Sequence, residues 1–189
     1  MKSSIKKRTW QAVYRLLNRV SPLAGDCGQL CQAACCRPVS PDMGIYLMPG
    51  EHKLFTGQED WLTWDWDYAR DYEFPASWSG RVYFIRCNTP PHCVRAMRPL
   101  QCRTYPLAPH LDARNRLSLV LYSAPTPYVC PLIAERRPLQ PDFVRATFTV
   151  WRHLIRGDHR IRDLVRMDSR ERLLQGEDIV TVYAPGLAV

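Results

Sequence analysis

The chain has 189 residues and a formal net charge of +8, with 26 lysines and arginines against 18 aspartates and glutamates. That length suits one domain with a core of its own, so no disulfide framework of the short secreted kind is required. No stretch approaches the ~20 apolar residues of a membrane-spanning helix.

Most of the positive charge is arginine. It reads either as genomic base composition or as provision for an acidic partner or an anionic cofactor. Sixteen prolines against nine glycines predict stiff turns in a loop-rich middle. Residues 7–19 read as a first helix, with Trp10, Val13, Tyr14, Leu17 and Val20 at helical spacing. This basic, amphipathic start lacks the continuous apolar run of a signal peptide, which makes the cytoplasm the expected location. Ser21-Pro22 and Gly25 end the helix. Residues 44–48 form a short strand candidate, and Pro49-Gly50-Glu51 reads as a turn into a brief helix through Phe55.

Residues 59–74 place Trp64, Trp66 and Tyr68 in alternation with Asp65 and Asp67. On a strand, aromatics would line one face and carboxylates the other. Two readings stand: an edge hairpin whose acids pair with the arginine-rich helices, or a recognition surface for a basic or aromatic ligand. Residues 81–86 read as a strand that delivers Cys87. Residues 116–123 read as another, with Leu117, Leu119 and Leu121 alternating on the way to Cys130. Beyond Pro141, Asp142 is the expected N-cap of a helix that carries Phe143, Val144, Phe148, Trp151, Leu154 and Ile155 on one face. Gly157-Asp158 breaks it, and a second helix follows over 159–174. Its arginines are mixed with Asp163, Asp168 and Glu171, the pattern of an ion-paired helix and not of a nucleic-acid stripe.

Eight cysteines occur, all between residues 27 and 130: Cys27, Cys31, Cys35, Cys36, Cys87, Cys93, Cys102 and Cys130. In a reducing compartment, clustered cysteines point to metal ligands or reactive thiols before disulfides. Close spacing gives several thiolates at little entropic cost, and distant cysteines close the site. Cys27, one of Cys35 and Cys36, and Cys102 are expected to converge with at least one other. His92, beside Cys93, is an alternative zinc ligand. Arg37, Arg86 and Arg103 adjoin cysteines and would offset the charge of a thiolate centre. Pro38, Pro106 and Pro131 would stiffen its loops. Among the motifs of side-chain catalysis, no phosphate-binding glycine loop, nucleophile elbow or paired-histidine helix occurs, so any chemistry would belong to the metal centre.

The run Arg98-Pro99-Leu100-Gln101-Cys102-Arg103-Thr104-Tyr105-Pro106 resembles the second signature of the YkgJ-type cysteine-cluster family, described as a zinc- or iron-chelating domain. That family pattern is Cys-x2-Cys-x4-Cys-Cys, followed later by Cys-x-Ile-Tyr-x2-Arg-Pro-x2-Cys-Arg-x-Tyr-Pro. Here the first cluster keeps the outer span from Cys27 to Cys35-Cys36, with x3 and x3 spacing. Cys93 lies one residue closer to Arg98, and Arg95-Ala96 replace Ile-Tyr. Gly50-Glu51 resembles the glutamate-led helix start found between the two signatures. The resemblance covers about residues 25–132. It implies a zinc site or an iron–sulfur cluster, the four-iron type favoured, with Arg98, Arg103 and Tyr105 at the cofactor. A related branch, the flagellin lysine N-methylases, carries the same cluster and implies an enzyme acting on protein lysines as the alternative.

The expected fold is α+β, a single domain over 1–189. A cysteine-rich core of short strands and loops over 25–132 is packed by an N-terminal helix and a helical extension over 141–175. The expected function is metal binding through the cysteines, with a redox partner or a protein substrate as its partner. A structural zinc module binding nucleic acid is the remaining alternative, which the mixed charges disfavour.

Overall fold

The computed structural model describes residues 5–37, 44–90 and 92–186. Pro38 lies outside them. The fold is α+β, with two three-stranded antiparallel sheets and helices on both sides of the chain's middle. Helix α1 (Lys7–Leu17) is amphipathic as its spacing predicts, burying Trp10, Val13, Tyr14 and Leu17. Each such side chain contributes about 1.5–3 kcal/mol by leaving water. The first sheet has the order β1-β3-β2, from Ile45–Tyr46, Arg81–Cys87 and Leu62–Tyr68. The second has the order β4-β5-β6, from Leu107–Leu111, Leu117–Leu121 and Thr181–Tyr183. Helices α5 (Pro141–Gly157) and α6 (His159–Leu174) pack on the second sheet. One cluster of buried apolar residues runs from Ile5 in the N-terminal segment to Val165 in α6.

The 59–74 segment supplies β2, an edge strand. Register pairs Leu62 with Cys87 and Tyr68 with Arg81. The alternating aspartates have a local task. Asp65 Oδ1 accepts the N–H of Trp66 at 2.8 Å, and Asp67 Oδ1 accepts that of Tyr68 at 2.7 Å. These carboxylates cap outward-facing donors that would otherwise offer a template to another strand. Their second oxygens take Arg86 at 3.4 Å and the Tyr72 hydroxyl at 3.0 Å. The acids therefore pair within their own sheet, which corrects the expectation that they pair with the arginine-rich helices. The aromatics do share a face: Trp66 and Tyr68 meet edge to face at 5.6 Å, with Arg81 stacked 3.9 Å over Trp66.

Strand β4, at one edge of the second sheet, is wholly buried and contains Pro109. Proline belongs at such an edge because it offers no N–H to a neighbour. Helix α6 completes the bonding there. Ser169 Oγ accepts the Leu111 N–H at 2.9 Å, and Arg172 Nη1 donates to the Pro109 carbonyl at 3.1 Å. Asp158 caps α6, accepting the Arg160 N–H at 3.1 Å and the Arg160 guanidinium at 2.7 Å in a buried pair. The expected N-cap of α5 shifts. Gln140 occupies that position, Pro141 takes the first helical turn, and Asp142 pairs with Arg145 three residues on. Proline's fixed φ and missing N–H suit it to that position, which moves the boundary two residues earlier. No helix among the described residues is long and apolar enough to cross a membrane.

Two measurements test this account. Changing Asp65 and Asp67 together to alanine should uncap β2 at a loss of about 0.5–1.5 kcal/mol per bond and promote self-association that grows with concentration. A double variant as monodisperse in light scattering as the parent would sink the edge-capping role. The second concerns Asp168, whose carboxyl burial pushes up to about 6 against the pull of Arg172. A carboxyl with a raised folded pKa holds its proton more tightly folded than unfolded, so its contribution fades as pH rises from about 4 to about 6. Urea denaturation should show Asp168→Asn gaining about 2–3 kcal/mol over the parent between about pH 4 and pH 7. A stability difference that stays flat across that window contradicts the assignment.

Candidate metal centre

Cys27 to Cys36 form two short turns joined by a reversal. Cys27 precedes the helical turn Gly28–Cys31, so Cys27 and Cys31 stand four residues apart on one face. Gln32 and Ala33 then both adopt left-handed backbone, with φ of 52° and 55°. Such a conformation costs a non-glycine residue roughly 1–2 kcal/mol, and strain of this kind concentrates where geometry is functionally fixed. A 3-10 turn over Ala34–Cys36 follows. The tightest neighbour of a Cβ at Gly28 would be Asp26 Oδ1, at 3.2 Å, so glycine leaves the entry to the turn uncrowded. Asp26 Oδ1 accepts the Gly28 N–H at 3.0 Å and secures the entry.

The remaining thiols come from four other places. Cys87 ends β3, Cys93 lies on the loop after it, Cys102 sits in α3 (Leu100–Thr104), and Cys130 precedes α4 (Pro131–Ala134). All eight are free, and Cys35 and Cys102 are exposed. Arg98 donates from Nε to Cys93 Sγ at 2.9 Å. Its charge also acts on the Cys36 and Cys102 thiols. The Cys35 and Cys36 sulfurs are 4.0 Å apart. Within that pair, Cys36 is lowered, by the bond from Cys35 and by Arg98, while Cys35 is raised. Burial, Cys36 and Cys93 push Cys102 up to about 12. Cys87 is raised by burial, and also by the nearness of Cys93 and Cys36. Cys27 is raised by burial, then by Asp26, Cys130 and Cys31.

The turn that carries Cys102 is held in place by one buried carboxylate. Glu51 follows Gly50, whose φ of 87° starts the brief 3-10 turn Glu51–Leu54. Glu51 Oε1 accepts the Tyr14 hydroxyl and the Leu100 N–H, each at 2.7 Å, and Oε2 accepts the Met48 N–H at 2.9 Å. This joins α1, the 48–51 turn and the first residue of α3, two positions before Cys102. Burial raises the Glu51 carboxyl, and its three donors oppose the rise. Arg103 reinforces the same junction. It stacks 4.0 Å over the Tyr14 ring and donates to Asn18 Oδ1 and the Ala96 carbonyl, both at 2.6 Å, and to the Arg98 carbonyl.

Of the three residues expected at the cofactor, Arg98 reaches a thiol and Arg103 braces the scaffold. Tyr105 neighbours Cys130 and lies between Tyr122 and Tyr128, with ring centroids at 5.8 and 6.2 Å. His92 is exposed on the loop before Cys93. Sequence reasoning missed Tyr14 and Tyr128. Tyr14 reads as one more apolar position in a helix, and only the fold brings its hydroxyl to Glu51.

Zinc binds sulfur at about 2.3 Å, so sulfurs on one tetrahedral ion lie about 3.8 Å apart. The Cys35 and Cys36 sulfurs, 4.0 Å apart, are near that separation. Among the described residues no three His, Cys, Asp or Glu side chains are gathered closely enough to hold a metal ion. An iron–sulfur cluster takes one thiolate per iron and spreads those thiolates over several metal atoms.

The Glu51 junction has a direct test. Glu51→Gln places an amide N–H2 against one of three N–H or O–H donors and should destabilise the fold by about 1–3 kcal/mol. Glu51→Ala should cost more, with α1 losing its hold on α3. Equal stability of Glu51→Gln and the parent in urea denaturation would show that the carboxylate does not hold the junction. No family model matches the chain, and no match is found among curated proteins or among solved structures.

Proposed function

We propose that this is a metal-binding protein whose cysteines hold an iron–sulfur centre. The observation that carries the reading is that none of the eight cysteines is in a disulfide and that the Arg98 guanidinium donates to the sulfur of one of them, Cys93. A cationic donor beside thiolates stabilises the negative charge that such a centre brings. The resemblance of Arg98–Pro106 to the zinc- or iron-chelating signature supports the same chemistry. Once bound, the centre would supply one-electron or Lewis-acid chemistry. The chain's own residues would hold it, neutralise part of its charge through Arg98, and fix Cys102 through Glu51. Zinc, which also accepts four thiolates, is the competing metal.

The arginines offer little to the nucleic-acid reading. Arg160 and Arg172 are buried, and Arg166 pairs with Asp163 at 2.9 Å. Purification without oxygen, followed by metal analysis and an acid-labile sulfide assay, tests the proposal. Iron and sulfide in equal amounts, both lost from a Cys27→Ser, Cys102→Ser double variant that still folds, are the expected result. Zinc without sulfide would overturn the iron–sulfur reading.

A further inference from the structure

A cavity of about 460 Å³ opens between the loop that follows β5, the short helix α4 and the segment that leads into β6. That volume suits a small molecule, whose pockets commonly span roughly 300–1,000 Å³. Three tyrosines line it. Tyr105 stands between Tyr122 and Tyr128, whose ring planes are turned 55° and 68° from its own. Rings set at such angles form walls and not a stack. Elsewhere the chain's arginines cover aromatic faces: Arg81 lies over Trp66, Arg70 over Tyr68 and Arg103 over Tyr14. Among the described residues no lysine or arginine stacks on the three tyrosines of the cavity. Its charge is also unbalanced. The ionised side chains of the lining are Glu177, Asp178 and Arg136. Arg136 is committed to Asp178 at 2.7 Å, whereas Glu177 Oε2 accepts the neutral Ser123 hydroxyl. Among the described residues no lysine or arginine pairs with Glu177. We propose that this cavity binds a small organic cation, an alkylated ammonium of the choline type, with its methyl groups against Tyr105, Tyr122 and Tyr128 and its charge balanced by Glu177.

The chemistry of the walls selects the kind of cation. A quaternary ammonium spreads its charge over methyl groups that donate no hydrogen bonds. It is held by aromatic faces and a nearby carboxylate, with no ring of acceptors around it. A primary ammonium has three N–H donors to satisfy, and Glu177 alone would leave it short of partners. The side chains of Leu121, Ile133 and Val180 complete the lining with further apolar contact. An anionic ligand would meet Glu177 with like charge. Backbone bonds hold the walls before a ligand arrives. Tyr122 N donates to the Pro106 carbonyl at 2.8 Å, Leu121 N to that of Val180 at 2.9 Å, and Glu177 N to that of Arg172 at 3.0 Å. Thr126 Oγ1 donates to the Tyr128 carbonyl at 2.7 Å and fixes the turn that carries the third ring. Walls already in place lose little freedom on binding, which favours affinity. Cys130 contributes to the lining, so the cavity adjoins the thiols, yet none of the recognition chemistry needs a metal.

The test is a titration of the full chain with choline chloride and with tetramethylammonium chloride at fixed ionic strength, followed by saturation-transfer NMR of the ligand methyl protons. Both should bind saturably. The uncharged carbon isostere of choline has the same shape and should bind about tenfold or more weakly, because it lacks the charge that the rings and Glu177 attract. Glu177→Gln keeps an acceptor for Ser123 and should weaken choline about tenfold while leaving the isostere unchanged. Tyr128→Leu should weaken choline to a similar extent, and Tyr128→Phe, which keeps the ring face, should bind it as the parent does. Far-UV circular dichroism checks that each variant folds, and the comparison of choline with its isostere on the parent needs no variant at all. Equal binding of choline and the isostere, or no saturable binding of either cation, would overturn the cation site. The same headgroup is found on phosphatidylcholine membranes, and the free molecule is the source proposed here. Sedimentation with phosphatidylcholine vesicles should therefore leave the chain in solution, and binding to vesicles without binding to free choline would overturn that assignment.

Discussion

A carboxylate sealed from water organises the cysteine half of the molecule. Glu51 is 1% exposed, and its two oxygens receive three donors from three parts of the chain. A buried anion is tolerated only when its lone pairs are filled, and removing a partner from such a group typically costs 3–5 kcal/mol. The consequence is positional. Because one oxygen takes both the Tyr14 hydroxyl and the first amide of α3, the N-terminal helix and the Cys102 helix cannot move independently. Arg103 locks the same junction from the other side by covering the Tyr14 ring. The scaffold therefore sets where Cys102 stands before any metal arrives.

The arginines divide into those that build and those that remain at the surface. Arg103, Arg160 and Arg172 are buried and engaged with carbonyls or carboxylates. Arg98 is directed at sulfur. Guanidinium suits these tasks because its planar fork serves several acceptors at once and is less strongly hydrated than an ammonium. A net charge of +8 is thus partly an internal matter.

Periodicity made the amphipathic elements legible. Helices α1, α5 and α6 carry apolar residues at the spacing that their burial demands, whereas β3 and β5 were legible as apolar runs whose burial does not alternate. Strand β4 was missed because all five of its residues are buried, which erases alternation, and because Pro109 argues locally against a strand. Three-residue β6 is too short to show a period. The cysteine cluster was legible as a local density of thiols. How the thiols group was not, since it depends on a left-handed reversal at Gln32-Ala33 and on segments distant in sequence. The bracing role of Arg103 was not legible, because Tyr14, Asn18 and the Ala96 carbonyl reach it only in the fold.

The bonds from Ser169 and Arg172 to β4 also constrain how this sequence can vary. These two residues lie three apart on α6 and meet the same edge at Leu111 and Pro109. One residue inserted or deleted between Asp158 and Ser169 would turn both by about 100° and carry them off the strand together. Substitutions on the outer face of α6 leave that phase untouched. Lineages of this chain should therefore accept many replacements along α6 and almost no changes in its length, with length variation displaced to the loops around it.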